Sequence, residues 1–380
     1  MIIKDFSEYI NTVIYLRRVL HKFPELSGEE YKTCEFIIEN LKKFGVKNIE
    51  KMYNTGVVAL IGDEKKECIA IRCDIDALPI KEETNLPYKS QNDGVMHACA
   101  HDAHTAVVLT LAKILCDNEN KLSKCIKLIF QPKEETDGGA KQMIDEGVLE
   151  NPKVDKVFGF HFWSNIDCGK ITYQNGVSFA SCSRFEIRIK GKGGHGAMPE
   201  KVINSLIPVS YIIDEFQKIN KKYEKAVVSL CTCNTDGSYN VFCENAVLKG
   251  TIRTIYKEDY EKIVEEILSM KDKVLKEYGC ECEIDVIYEY PALVNDKDAL
   301  RELLGAAKYV LGNENVYESP FTYAAEDFSF FTEAVKSAHI KIGSSNKERP
   351  ETLLPLHNPS FDIDENALGY ALEIFSKLCF

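Results

Sequence analysis

The densest group of chemistry-bearing residues is the stretch Met96 to Thr105, MHACAHDAHT, which sets Cys99, His101 and His104 beside Asp102 and runs directly into an apolar segment, AVVLTLAKIL. Thiolate and imidazole are the side chains that bind borderline divalent metals such as Zn²⁺, Co²⁺ and Ni²⁺, whereas Mg²⁺ and Ca²⁺ prefer oxygen-only shells. Three of the eight histidines of the chain, His97, His101 and His104, fall in this stretch. Taken alone it would read as polar residues around the start of a helix, with Asp102 favoured near the unpaired N–H groups. Other segments turn the reading toward half of a metal site. RCDIDALP puts Asp74 and Asp76 at the carboxyl end of a buried strand, the edge at which open α/β sheets bind ligands. QPKEET brings Glu134 and Glu135 together, and adjacent carboxylates raise one another's pKa unless a cation is present. One of them can bind metal while its neighbour works as a base; alternatively Glu134, Glu135 and Asp137 decorate the start of the next helix. KVFGF delivers His161 at a strand end, and LHNPSFDID offers His357 in a loop. A lone histidine in such a place is more often a core residue, so the weight rests on the repetition of the pattern.

The elements that must position these residues alternate. Residues 4 to 22 and 28 to 44 read as amphipathic helices, and AVVLTLAKIL as a third, with Val107, Leu111 and Leu115 at helical spacing. Gly56 to Gly62, Cys68 to Cys73, Lys124 to Phe130 and Lys156 to Phe160 read as strands. From about Ser178 the order changes to βαββαβ, an α+β sandwich of about 110 residues. It comprises RFEIRIKG, a helix from Asn204 to Tyr223, strands Ala226 to Cys233 and Ala246 to Thr254, a helix from Lys257 to Tyr278, and a strand from Cys282 to Tyr288. The strand SAHIKIGS and a helix from Glu365 to Cys379 close the chain. The expected fold class is α/β: an αβα catalytic domain with a central mixed sheet, residues 1–178 and 291–380, interrupted by an inserted ferredoxin-like domain, residues 179–290.

A chain of 380 residues exceeds the size of a single core, and 45% hydrophobic content suffices for two domains. No segment is long and apolar enough to span a bilayer, and Lys4, Asp5 and Glu8 interrupt the amino terminus, so a cytoplasmic protein without a membrane partner is expected. The net charge of -12 argues against nucleic acid and means that an anionic substrate must be drawn in by local charges. Fourteen cysteines without a C-x-x-C pair read mostly as reduced core residues, Cys73, Cys231 and Cys233 among them.

The motifs RCDIDALP, MHACAHDAHT, QPKEET, GFHFW, GKGGHGAMP, LKGTIRT, AAEDFSFF and LHNPSFDID, in this order and over essentially the full length, resemble those of the M20 metallo-amidohydrolases, within the aminoacylase, hippurate hydrolase and auxin-conjugate hydrolase branch. The resemblance implies a binuclear site of two divalent ions, Zn, Mn, Co or Ni, made by Cys99, His101, Glu135, His161 and His357, with Glu134 as general base and Asp76 orienting a ligand from behind. It implies that Cys99 and His101 replace the ligation of a histidine that more distant branches carry at Asp74. The inserted domain would be a lid that also forms a homodimer, His195 would polarise the substrate carbonyl, and Arg253 would hold the substrate carboxylate. Two departures stand out: Ala100 occupies a position usually held by glycine, which could narrow the site, and NVFCEN replaces the usual NVIPD. The implied activity is hydrolysis of N-acyl amino acids. Deacetylation of N-acetyl-diaminopimelate and cleavage of dipeptides are alternatives at the same site, and a non-catalytic metal-binding or redox protein is the alternative of another class.

Overall fold

The computed structural model describes residues 6–136 and 138–380; Lys4 and Asp5 of the first expected helix, and Asp137, lie outside them. Two helices come first, α1 (Ser7–Lys22) and α2 (Tyr31–Lys43). Their buried positions, Val13, Leu16 and Leu20 in the one and Cys34, Ile37 and Leu41 in the other, recur every three or four residues, as one core-facing stripe requires. Three strands follow, β1 (Asn48–Met52), β2 (Gly56–Ile61) and β3 (Cys68–Asp74), then α3 (His101–Asp117), β4 (Cys125–Gln131), α4 (Ala140–Asp145), β5 (Lys156–Asp167) and β6 (Ile171–Tyr173). The inserted segment contributes β7 (Ser181–Lys190), α5 (Leu206–Lys222), β8 (Ala226–Thr235), β9 (Asn245–Thr254), α6 (Lys257–Tyr278) and β10 (Glu281–Tyr290). The chain ends with α7 (Lys297–Leu311), β11 (Val316–Glu318), α8 (Ser329–Ala334), β12 (Ser337–Ser345) and α9 (Asn366–Cys379).

Two compact units result. The first runs to Ser178 and resumes over Val294–Pro320 and Glu326–Phe380; the second is Phe179–Leu293 with Phe321–Ala325. The short return of residues 321–325 to the inserted unit was not expected, and it splits AAEDFSFF between Ala325 and Glu326.

The first unit is built on an eight-stranded mixed sheet in the order β1-β2-β4-β3-β5-β12-β6-β11. β3 runs parallel to β4 and β5, and β12 parallel to β5. Every residue of β3 and β4 is buried, which is why both read as continuous apolar runs. One sheet face, with Ile71, Leu128, Phe160 and Ile340, packs in a single core with Val107, Leu111, Leu303 and Phe375 of the helices. The other face carries Arg72, Gln131 and His339, and Phe328 at the start of α8 lies against His339. The carboxyl ends of β3 and β4, together with β5, carry the acidic and histidine residues singled out above.

In the second unit the antiparallel order is β8-β9-β7-β10, the strand order of a ferredoxin-like sandwich. Ile187, Leu248 and Ile252 of its sheet pack on Phe216 and Ile267 of α5 and α6. One expectation fails here. Cys231 and Cys233 are exposed, because β8 is an edge strand whose second half projects beyond the helix-covered core.

Candidate metal centre

The cluster is assembled by the first turn of α3 and three other segments of the first unit. Cys99 Sγ lies 3.4 Å from His161 Nε2. His101 Nε2 lies 3.9 Å from Glu135 Oε1, which is 3.3 Å from His357 Nε2. Ligand-type atoms of Cys99, His101 and His161 fall within 4.8 Å of one another, as do those of Cys99, Glu135 and His357, so Cys99 belongs to both sets. His161 lies inside β5 instead of at its end, since the strand continues to Asp167. His357 is the exposed member, its side chain 50% accessible; Glu135 is partly buried, and Cys99, His101 and His161 line a buried floor.

His101 and His161 are held the same way. His101 Nδ1 donates to the backbone carbonyl of Asp76 at 3.0 Å and to its Oδ1 at 3.1 Å, and His161 Nδ1 donates to the Phe162 carbonyl at 2.6 Å. Each ring thereby turns Nε2 toward the cluster, the tautomer that metal-bound histidines use. Asp76 Oδ2 also accepts from Ser27 Oγ at 2.6 Å and from the backbone N–H of Glu135 at 3.0 Å, tying both neighbours to one carboxylate. His101 Nε2 and Glu135 Oε1 are buried without a hydrogen-bond partner among the described residues. Two such atoms facing one another, beside a thiol and two imidazoles, fit a divalent cation: it would satisfy both.

His104, adjacent in sequence, is closed off. Its Nδ1 donates to Asp74 Oδ1 at 2.6 Å, and its Nε2 accepts the Phe162 N–H at 3.0 Å. His97 is buried with neither ring nitrogen hydrogen-bonded among the described residues, and burial pushes its pKa down to about 4.

The electrostatic frame is carboxylate-rich. Arg72, fully buried, binds Asp74 Oδ2 at 2.9 Å, Glu326 Oε1 at 3.2 Å and Asp327 Oδ1 at 2.6 Å. Glu134 has carboxylate oxygen within 4.8 Å of Glu326 and Asp327. Burial, then the charges of Glu326 and Glu135, hold the Glu134 carboxyl well above the usual range. Burial also pushes the Cys99 thiol up, with Glu135 adding to it. A bound cation reverses both tendencies. Sequence reasoning assigned no role to Arg72, Glu326 and Asp327. The available signal was a pair of adjacent acids inside the apolar run AAEDFSFF, the same pattern that drew attention to Glu134 and Glu135.

His195 and Arg253 belong to the inserted unit. His195 lies exposed in a two-residue strand paired with Val241–Phe242, and its Nδ1 accepts the Ala197 N–H at 3.1 Å. Arg253, on β9, donates from Nη1 to the Tyr323 carbonyl at 2.8 Å.

A family model described as Peptidase family M20/M25/M40 matches residues 70–379. The chain belongs to this family. An N-acetylcysteine deacetylase of Bacillus subtilis is 35% identical over 374 residues, covering 96% of this chain and 95% of its own length. A hippurate hydrolase of Campylobacter jejuni is 33% identical over 373 residues, covering 96% and 94%. A solved Bacillus subtilis structure, titled a dinuclear metal binding peptidase from the M20 family, superposes with a TM-score of 0.84 at 33% identity, covering 99% of this chain and 98% of its own. This M20 chain is therefore a hydrolase acting on amide bonds, and it carries candidate metal-ligand groups. No described helix is long and apolar enough to cross a membrane.

Proposed function

We propose that this M20 chain hydrolyses N-acyl amino acids to a carboxylate and a free amino acid. The observation that carries the reading is the convergence of Cys99, His101, Glu135, His161 and His357 around two buried atoms that have no hydrogen-bond partner among the described residues, with Glu134 alongside. These five residues would hold two divalent ions of the Zn, Mn, Co or Ni type. Bound there, such ions lower the pKa of a water and polarise an amide carbonyl. Glu134 takes a proton from the attacking water as its oxygen adds to the carbonyl carbon, and delivers it to the nitrogen as the C–N bond breaks. A site already crowded with carboxylates suits that task, because proton acceptance by Glu134 relieves repulsion from Glu326 and Glu135. Asp76 keeps His101 and the Glu135 backbone in place.

His195 donates to the developing oxyanion, a contact worth about 3 kcal/mol for a single donor. Its accepted hydrogen bond at Nδ1 supports this role, since a neutral ring then carries its proton on Nε2. Arg253 offers a planar fork to the substrate carboxylate. The inserted unit pairs two chains into a homodimer; in support, β8 and β10 are sheet edges, and Leu206, Ile207, Tyr239 and Val241 are exposed on this unit. The fourteen free cysteines support a reducing, cytoplasmic setting. Hippurate and N-acetylcysteine, named in two relatives, are both N-acyl amino acids, which favours this substrate class over dipeptides and N-acetyl-diaminopimelate.

Glu134→Gln tests the reading. Turnover should fall at least about 100-fold, the scale of a lost general base, while metal content per chain is unchanged. A variant that keeps most of its rate would remove Glu134 from this role.

A further inference from the structure

The segment between β4 and α4, residues 132–139, carries Glu134 and Glu135, and buried carboxylates from three other places hold its backbone. Asp327 Oδ2 accepts the N–H groups of Gly139 and Ala140 at 2.9 and 3.1 Å and Gln131 Nε2 at 2.6 Å, so one oxygen grips both ends. The neck between them is tight: a Cβ on Gly139 would lie 1.9 Å from the Pro132 carbonyl oxygen. Asp76 holds the Glu135 N–H. The third carboxylate is Glu30, fully buried in the turn between α1 and α2. Its Oε1 accepts the Lys133 N–H at 3.0 Å and the Gly28 N–H at 2.8 Å, and its Oε2 accepts the Thr55 hydroxyl at 2.7 Å. Glu30 stands at the N-cap of α2, where a carboxylate is ordinarily favoured by its own helix, yet it makes no capping hydrogen bond there. It reaches across to Lys133 instead. Lys133 directly precedes Glu134 and has φ of 60°, a left-handed conformation that residues other than glycine avoid. Gly28 packs against the same residue, a Cβ there lying 3.4 Å from Lys133 Cδ.

We propose that Glu30 is a positioning residue for Glu134: by holding the Lys133 N–H it keeps the left-handed turn from which Glu134 reaches the centre. The inference rests on the amidohydrolase reading above and adds to it a residue that acts on the rate from behind the loop. Asp327 fixes the ends of the segment and Asp76 the residue after Glu134, so Glu30 supplies the tie on the residue before it. Without that tie, Lys133 can relax toward an ordinary backbone region and turn Glu134 away, and a misplacement of about 1 Å costs on the order of 100-fold in rate. The candidate ligands keep their own supports, His101 and Glu135 at Asp76 and His161 at the Phe162 carbonyl, so metal binding does not depend on Glu30. No proton passes through Glu30 in the reaction.

The test compares wild-type holoenzyme with Glu30→Ala, Glu30→Gln and Thr55→Val on hippurate and N-acetylcysteine, with metal content and hydrogen exchange of the Lys133 amide measured on the same samples. Glu30→Ala should lose about 10- to 100-fold in kcat, with KM changed by less than about 3-fold and metal per chain unchanged. Its Lys133 amide should exchange at least about 10-fold faster, since the amide has lost its acceptor. Glu30→Gln keeps one oxygen for the two N–H groups and can turn its NH₂ to the Thr55 hydroxyl, so it should recover most of the rate and the slow exchange. An unchanged kcat in Glu30→Ala, a loss carried by KM, or a loss of metal that matches the loss of rate would overturn the proposal, as would a Gln variant no better than Ala. If wild type cleaves neither substrate with any of the four ions, the amidohydrolase reading fails by itself; faster Lys133 exchange in Glu30→Ala then still supports the hold on the loop, and unchanged exchange overturns it. If Glu30→Ala does not fold, Thr55→Val, which removes only the far contact of the carboxylate, must show the same kcat-selective loss in weaker form, or the proposal falls.

Discussion

Ala100, Lys133 and His357 all adopt left-handed backbone conformations, with φ of 65°, 60° and 65°, and each is a member or neighbour of the candidate centre. A non-glycine residue there costs about 1–2 kcal/mol, and strain of this kind gathers where surrounding structure dictates a side chain's aim. The sequence suggested that the Ala100 methyl narrows the site; the structure adds that the backbone is the tighter constraint, because Ala100 precedes α3 in a conformation that suits glycine. Ala100→Gly should therefore be close to neutral, relief of the left-handed strain being offset by backbone entropy and a lost buried methyl. Ala100→Val, β-branched, should cost more than about 2 kcal/mol. Thermal unfolding of the metal-free protein checks both. Asp76→Ala should weaken metal binding about 10- to 100-fold by freeing the His101 ring, measured by competition with a chromogenic chelator. Four of the five expected ligands stood out because thiol and imidazole announce themselves by type, and Glu135 stood out as one of two adjacent carboxylates. The roles of His97 and His104 were not, since only the hydrogen bonds of the folded chain separate a closed imidazole from one with an open nitrogen.

Among the elements, β3 carries the heaviest electrostatic burden, with Arg72 on the sheet face that meets Asp327 and Gln131. Removing that cation leaves Asp74, Glu326 and Asp327 buried without their shared partner. Arg72→Met should destabilise the protein by about 3–5 kcal/mol, read as a lowered urea midpoint. Burial acting against Arg72 already raises Glu326 to about 7 and Asp327 to about 6, so these groups have little further protection. Helix α3 was legible from Val107, Leu111 and Leu115, all of which are buried. β1 was not: Asn48–Met52 is an edge strand of exposed and half-buried residues, and its order comes from pairing with β2. The exposed cysteines of β8 were misread for the related reason that an apolar strand composition cannot tell an edge from a centre.

At the scale of the whole chain, the insertion was legible because βαββαβ interrupts an alternating pattern. The return of residues 321–325 to the inserted unit was not, because no periodicity marks so short a segment. Distant parts of the first unit are tied by ion pairs beneath α3: Arg17 of α1 binds Asp102 at 3.0 Å and Asp362 at 2.6 Å, and His21 Nδ1 donates to Asp102 at 2.8 Å. Burial opposes a charge on His21, but Asp102 and Glu82 outweigh it and raise its pKa to about 9. The folded value exceeds the ordinary histidine pKa of about 6.5, so the stabilisation is complete below about pH 6.5 and is lost as pH climbs to 9, on the order of 3 kcal/mol in all. Denaturant midpoints should fall across that window in wild type and much less in His21→Gln. The most direct test of the central claim is amine release from N-acetyl and N-benzoyl amino acids before chelation, after it, and after reloading separately with Zn²⁺, Mn²⁺, Co²⁺ and Ni²⁺. The account predicts turnover that chelation abolishes and at least one of these ions restores. Turnover that survives complete removal of metal, or cleavage of dipeptides alone, would contradict it.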